Sequence, residues 1–178
     1  MIRALLHPAP PGLPVPVRPP QGSDSVRREI LQTDWKKICH LDDDSLVRAG
    51  ALWLHGFLDD SHQIVQKDSS AEASYWHALM HRSEGDFSNS MYWFLKVGRH
   101  AVYAALWQGV EELDASGESS QKALRTLLKD RQWNPQRFVD LCQTAYEGRF
   151  DDLNLLQRIA AVEYNLLMGF VLDQQASH

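Results

Sequence analysis

Residues 69–98, SSAEASYWHALMHRSEGDFSNSMYWFLKVG, decide the fold. Ser69 and Glu72 have capping-box spacing, and the run that follows is helical up to Glu84, because Gly85 suits the left-handed position just past a last turn. Asp86 or Ser88 then caps a short aromatic helix, which Gly98 terminates. No segment here alternates with the period of a strand, so this part of the chain reads as two consecutive helices.

The same punctuation extends in both directions. Toward the N-terminus, SDSVRREILQTDWKKIC (23–39) reads as one helix and DDDSLVRAGALWLHGFLDDSHQIVQK (42–67) as a second, continuous one with Val47, Leu54, Leu58 and Val65 along an apolar seam. Toward the C-terminus, Asn134 and Pro135 supply an N-cap and an N1 proline for a helix that closes on Gly148. Asp151 or Asp152 opens a last helix through LNLLQRIAAVEYNLLMGFVLDQQ, apolar on most faces as a central helix is. The expectation is all-α: one compact multi-helix bundle of about seven helices over residues 23–178, with no internal repeat.

Residues 1–22 form a different region. Seven of the eight prolines fall within MIRALLHPAPPGLPVPVRPP, which predicts an extended arm, because proline fixes φ and removes a backbone donor. The arm reads either as a polyproline ligand for a protein partner or as a segment that packs on its own domain or stays loose. Its apolar start is short for a secretory signal and no small-x-small cleavage site follows, so the expected location is cytoplasmic.

Charge and composition narrow the function classes. A net charge of −5 over 178 residues, with no basic stripe, argues against a nucleic-acid groove. The richest apolar run, LLMGFVL (166–172), closely follows Glu163 and Asn165, so no membrane span is expected. Cys39 and Cys142 match no CxxC spacing and read as reduced, structural thiols.

Four of the eight histidines lie between residues 55 and 89. On a continuous helix, His55, Asp59 and His62 at i, i+4 and i+7 fall within roughly 40° of one another. His77, His81 and Glu84 repeat that spacing on the next helix, and the short connection makes the two helices antiparallel neighbours. The two stripes are expected to face each other, with His62 level with His77 while Asp59 and His55 bracket His81. The competing reading is a solvent-exposed surface, which shows polar residues at the same spacing.

Glu84, in a last helical turn, meets the negative end of the macrodipole and needs a cation: Arg82, Arg99, His81 or a metal. Glu163 lies in the seam Leu156, Ile159, Glu163, Leu166, Phe170, where a buried carboxylate needs a partner such as Arg82 or a histidine of the cluster, unless the helix turns it to water. The candidate catalytic residues are therefore His77, His81, Arg82 and Glu84. The candidate ligands of a divalent metal are His55, Asp59, His62, His77, His81, Glu84 and Glu163. Imidazole and carboxylate ligands without thiolates point to Zn, Fe or Mn. Without metal, Asp59 can orient His55 or His62 as a general base. Ser61, Ser74 and Ser88 lie nearby, but none sits in a nucleophile elbow.

The stretch YWHALMHRSEGDFSNSMYWFLKVGRH (75–100) resembles a signature, WHxxxHRxExDxSNxxYWFxxVG, of an uncharacterised group of bacterial all-helical proteins. The resemblance implies that His77, His81, Arg82, Glu84, Asp86, Asn89, Tyr92 and Trp93 belong to one motif, and it names no reaction. Two readings of function follow. One is an enzyme acting on a small molecule through a His/Asp/Glu cluster, by metal-assisted hydrolysis or oxidation. The other is a non-catalytic binding or scaffold protein in which the motif is a structural polar network. A pH sensor is a third, since packed histidines repel when protonated.

Overall fold

The computed structural model describes residues 5–6 and 21–176. Among them are ten α-helices and one 3-10 turn. Their bounds are α1 Asp24–Gln32, α2 Trp35–Cys39, α3 Ser45–Leu54, α4 Leu58–Val65, α5 Ala71–Glu84, α6 Phe87–Val97, α7 Val102–Glu111, α8 Glu118–Leu127, the 3-10 turn Lys129–Arg131, α9 Pro135–Tyr146 and α10 Leu153–Gln175. The described residues contain no strand, only an isolated antiparallel bridge between Leu41 and Ala176. The all-α expectation holds, with more helices than the expected seven.

The extra helices arise where single residues stop a helical run. Residues 23–39 divide at Thr33, whose backbone is extended, and Asp34 then recaps the chain by accepting from the Lys37 N–H. Residues 42–67 are also two helices, because Gly56 adopts φ 76°, where a side chain is strained, and Phe57 is buried as the next N-cap. α4 thus folds back beside α3, and Ser61 Oγ donates to the Ala49 carbonyl at 2.8 Å to hold it there. The remaining caps follow the sequence closely. Ser70, one residue later than expected, accepts from Ala73 N–H, Asp86 from Asn89, Asn134 from Gln136 and Asp152 from Leu155.

α5 is buried on most sides, packing on α3, α4 and α6. Trp76 from α5 meets Trp53 of α3 and Tyr164 of α10 with ring centroids 6.2 and 5.8 Å away, and Trp53 stacks on Tyr164 at 5.6 Å. Burying one such ring removes roughly 150–250 Å² from water, about 4–6 kcal/mol before entropy is counted. Gly50 lets these helices close: a Cβ there would lie 2.6 Å from both Trp76 and Met168. α10 runs through the centre against α3 and α7. It is long and apolar enough to cross a membrane by length and composition, although the sequence suggested that its apolar run was too interrupted. Half of its most apolar window is buried inside the helical body.

The proline-rich arm lies outside the described residues except for Leu5 and Leu6 and its last two residues. Leu5 and Leu6 are helical and buried in the core, contrary to an arm extended throughout; they precede the first proline, Pro8, and escape its constraint.

Candidate functional site

The site is organised by the direction each residue of α5 takes at roughly 100° per residue. His77, His81 and Glu84 share one side of the helix. Tyr75 and Arg82, seven positions apart, share another, about 160° from His77. The helix therefore separates two polar groups that the sequence reading had joined.

On the first side, three imidazoles converge. The ring centroids of His62 and His77 are 4.9 Å apart, those of His62 and His81 6.0 Å, and those of His77 and His81 6.2 Å. α4 supplies His62 and α5 the other two, so the expected pairing of His62 with His77 is found. Trp93 of α6 closes the group by stacking on His77 at 4.0 Å with planes 5° apart. Lys96 lies 4.7 Å above the outer indole. His81 Nδ1 is 3.0 Å from Glu84 Oε2, so the two side chains are within hydrogen-bonding distance. The Asn89 amide nitrogen lies 3.2 Å from His81 Nε2. Asp86 holds Asn89 through its backbone N–H, the main reason the Asp86 carboxyl sits below its ordinary pKa; Ser88 and His81 contribute further.

His77 is 1% exposed and its Nδ1 lacks a hydrogen-bonding partner. Burial, then His62 and His81, push its pKa down to about 4, against a smaller opposing effect of the Ala73 carbonyl one turn back. The ring is therefore neutral near pH 7. A neutral imidazole beside two others is chemically suited to hold a cation or accept a proton.

On the second side, Glu163 of α10 is completely buried and accepts from the Tyr75 hydroxyl at 3.1 Å and from Arg82 Nη2. The partner required for Glu163 is thus Arg82, assisted by Tyr75. The guanidinium also lies 4.5 Å above the Phe138 ring. Burial opposes its charge, and Glu163 overcomes that cost and holds the pKa above its ordinary value. Burial, then Glu163, keep the Tyr75 hydroxyl protonated far above neutral pH.

Four residues assigned to the site from the sequence lie elsewhere. His55 is the C-cap of α3, not a member of the His62 stripe, because Gly56 ends the helix there; its carbonyl accepts from Gly22 N–H at 2.9 Å. Burial lowers the His55 pKa, while a backbone hydrogen bond with Leu5 opposes the shift. Asp59, in the first turn of α4, is exposed and falls outside the imidazole group. Arg82 and Glu163 belong to the buried pair on the far side of α5, so neither lines the cluster. His62, His77, His81 and Glu84 remain together. Among the described residues, no three His, Cys, Asp or Glu side chains already have donor atoms gathered as metal ligands.

The sequence reading gave no functional role to Lys96 or to the stretch KDRQWNPQR (129–137), of which it used Asn134 and Pro135 only as helix-start signals. The available signal in that loop was a tryptophan between arginines, directly before a proline-started helix. In comparisons with known proteins, the chain matches no family model, no curated protein and no solved structure.

Proposed function

We propose that this chain is an enzyme that acts on a small molecule at a divalent-metal centre built from His62, His77 and His81, by metal-assisted hydrolysis or oxidation. The observation that carries the reading is the convergence of three imidazoles with centroids 4.9–6.2 Å apart. A first-row metal bound at 2.0–2.1 Å places each ring centroid about 3.2 Å away, and tetrahedral ligation then spaces the centroids about 5 Å apart. One pair already has that spacing, and the other two need to close by about 1 Å. Glu84 on Nδ1 of His81 supports the reading as a carboxylate that orients a ligand ring and raises its basicity. Asn89 would have to give up its contact with His81 Nε2 for that nitrogen to hold a metal. Imidazole ligation suits Zn or Fe, with Mn calling for added oxygen ligands, and a bound metal would supply Lewis acidity and an acidified water.

The stack of His77 on Trp93 favours a second reading, a structural polar network, because a neutral imidazole lying flat on an indole is also good packing. Metal analysis of untagged protein separates the two. The enzyme reading expects close to one Zn, Fe or Mn per chain, or uptake of one Co(II) with visible absorption, lost in His62→Ala and in His81→Ala while the helical spectrum is kept. Absence of metal, with no saturable uptake of Zn(II) or Co(II), would leave the structural network.

A further inference from the structure

A second site lies away from the imidazoles. We propose that the cavity between the end of α6, the start of α7 and the loop entering α9 binds a small organic anion: a carboxylate or phosphate carried on a flat or apolar body. The cavity measures about 640 Å³, within the range that accommodates small ligands.

Its charge runs against that of the chain. Arg99, Arg131 and Arg137 line it, with Asp130 as the single carboxylate, and Arg137 already pairs with Asp130 at 2.6 Å. Neither Arg99 nor Arg131 has an ion pair among the described residues. Two unpaired guanidiniums over one cavity, in a chain of net charge −5, form a local positive field. Guanidinium also matches carboxylate and phosphate oxygens in a two-pronged geometry.

The cavity wall is aromatic as well as basic. Trp133 is 5% exposed and packs on Phe138 with ring centroids 5.8 Å apart. The rings of Phe94, Tyr103 and Trp133 line the cavity and accept an apolar body.

The backbone is built for the same purpose. Asp130 and Arg131 are consecutive non-glycine residues at φ 68° and 52°. Such left-handed pairs are held against local preference and cluster at ligand clamps. Here they turn the loop so that Arg131 joins the cavity lining.

The test follows the indole N–H of Trp133, assigned with Trp133→Phe, in the ¹⁵N-labelled full chain. Phenyl phosphate and phenylacetate are titrated in parallel, with benzyl alcohol as the neutral probe and inorganic phosphate as the bare anion. The expected result is a saturable shift of that indole with at least one aromatic anion, more weakly with inorganic phosphate, and none with benzyl alcohol. The relative affinities of phenyl phosphate and phenylacetate identify the preferred anion. Arg99→Gln combined with Arg131→Gln should weaken binding at least about tenfold, as expected when charged hydrogen bonds are removed. Arg131→Gln alone, at an exposed residue, serves if the double variant does not fold. His62→Ala should leave binding unchanged, which separates this site from the imidazole centre. No indole shift up to about 10 mM of either aromatic anion, equal binding of benzyl alcohol, or unchanged binding by the arginine variants would overturn the proposal.

Discussion

At the scale of single residues, His77 and Glu163 are both buried but differ in their partners. His77 has no anionic partner, so it is neutral, and its folded pKa of about 4 lies below the ordinary 6.5. The unfolded chain therefore takes up a proton first as pH falls, and stability drops from about pH 6.5 down to about pH 4, by on the order of 2 kcal/mol after allowing for solvent screening at half-buried His62 and His81. His77→Phe keeps the stack on Trp93 and should flatten this part of a urea midpoint–pH curve; an unchanged slope would show that other groups carry it. Glu163, in contrast, is paired with Arg82. Removing one partner strands the other, so Arg82→Met should cost roughly 3–5 kcal/mol, while Arg82→Met with Glu163→Leu should recover most of that loss. Urea denaturation of the single and double variants measures the difference, and equal instability of the two would mean that the pair is no isolated unit.

At the scale of elements, the decisive features are where helices stop and how closely they approach. Gly50→Ala is the sharpest test of approach. Alanine is favoured in a helix by up to about 1 kcal/mol, but its Cβ would meet the Trp76 ring at 2.6 Å. Met168 can move its terminal methyl, whereas an indole packed against Trp53 and Tyr164 has nowhere to go. A net loss of roughly 1–2 kcal/mol is expected from overpacking, read as a lower urea midpoint at constant slope; equal or greater stability would show that the helices can separate. The ends of α5 and α6 were legible in the sequence because Gly85, Asp86 and Gly98 are strong local signals, and the structure uses all three. The break at Gly56 was hidden by a hydrophobic pattern that continued across it: Leu54 and Leu58 fit one seam on paper, yet Phe57 is buried between two helices. That one break removed His55 and Asp59 from the candidate site.

For the whole molecule, residue types were easier to read than their partners. That Glu163 needed a partner followed from its apolar neighbours, and that His62 met His77 followed from a short helical connection. Which side of α5 each group occupied depended on how α4, α6 and α10 surround it, and spacing along one helix does not contain that. The cavity over Arg99 and Arg131 was illegible for a related reason, since its walls come from two separate segments, 94–104 and 130–137. The metal reading has its own consequence at this scale. A cation that binds only the folded chain at a hundred times its dissociation constant adds about 2.7 kcal/mol, or roughly 5–10 °C in melting temperature for a chain of this length. Thermal scans with Zn(II) and with chelator should differ by that amount in the parent and coincide in His81→Ala; coincidence in the parent as well would argue against a metal centre. The bridge between Leu41 and Ala176, with the Asp42 N–H donating to the Gln175 carbonyl at 2.9 Å, bears on how the protein can be handled. It clasps the tail of α10 to the turn after α2, so a fusion joined before Gln175 would unfasten that clasp, whereas one joined beyond His178 leaves it shut.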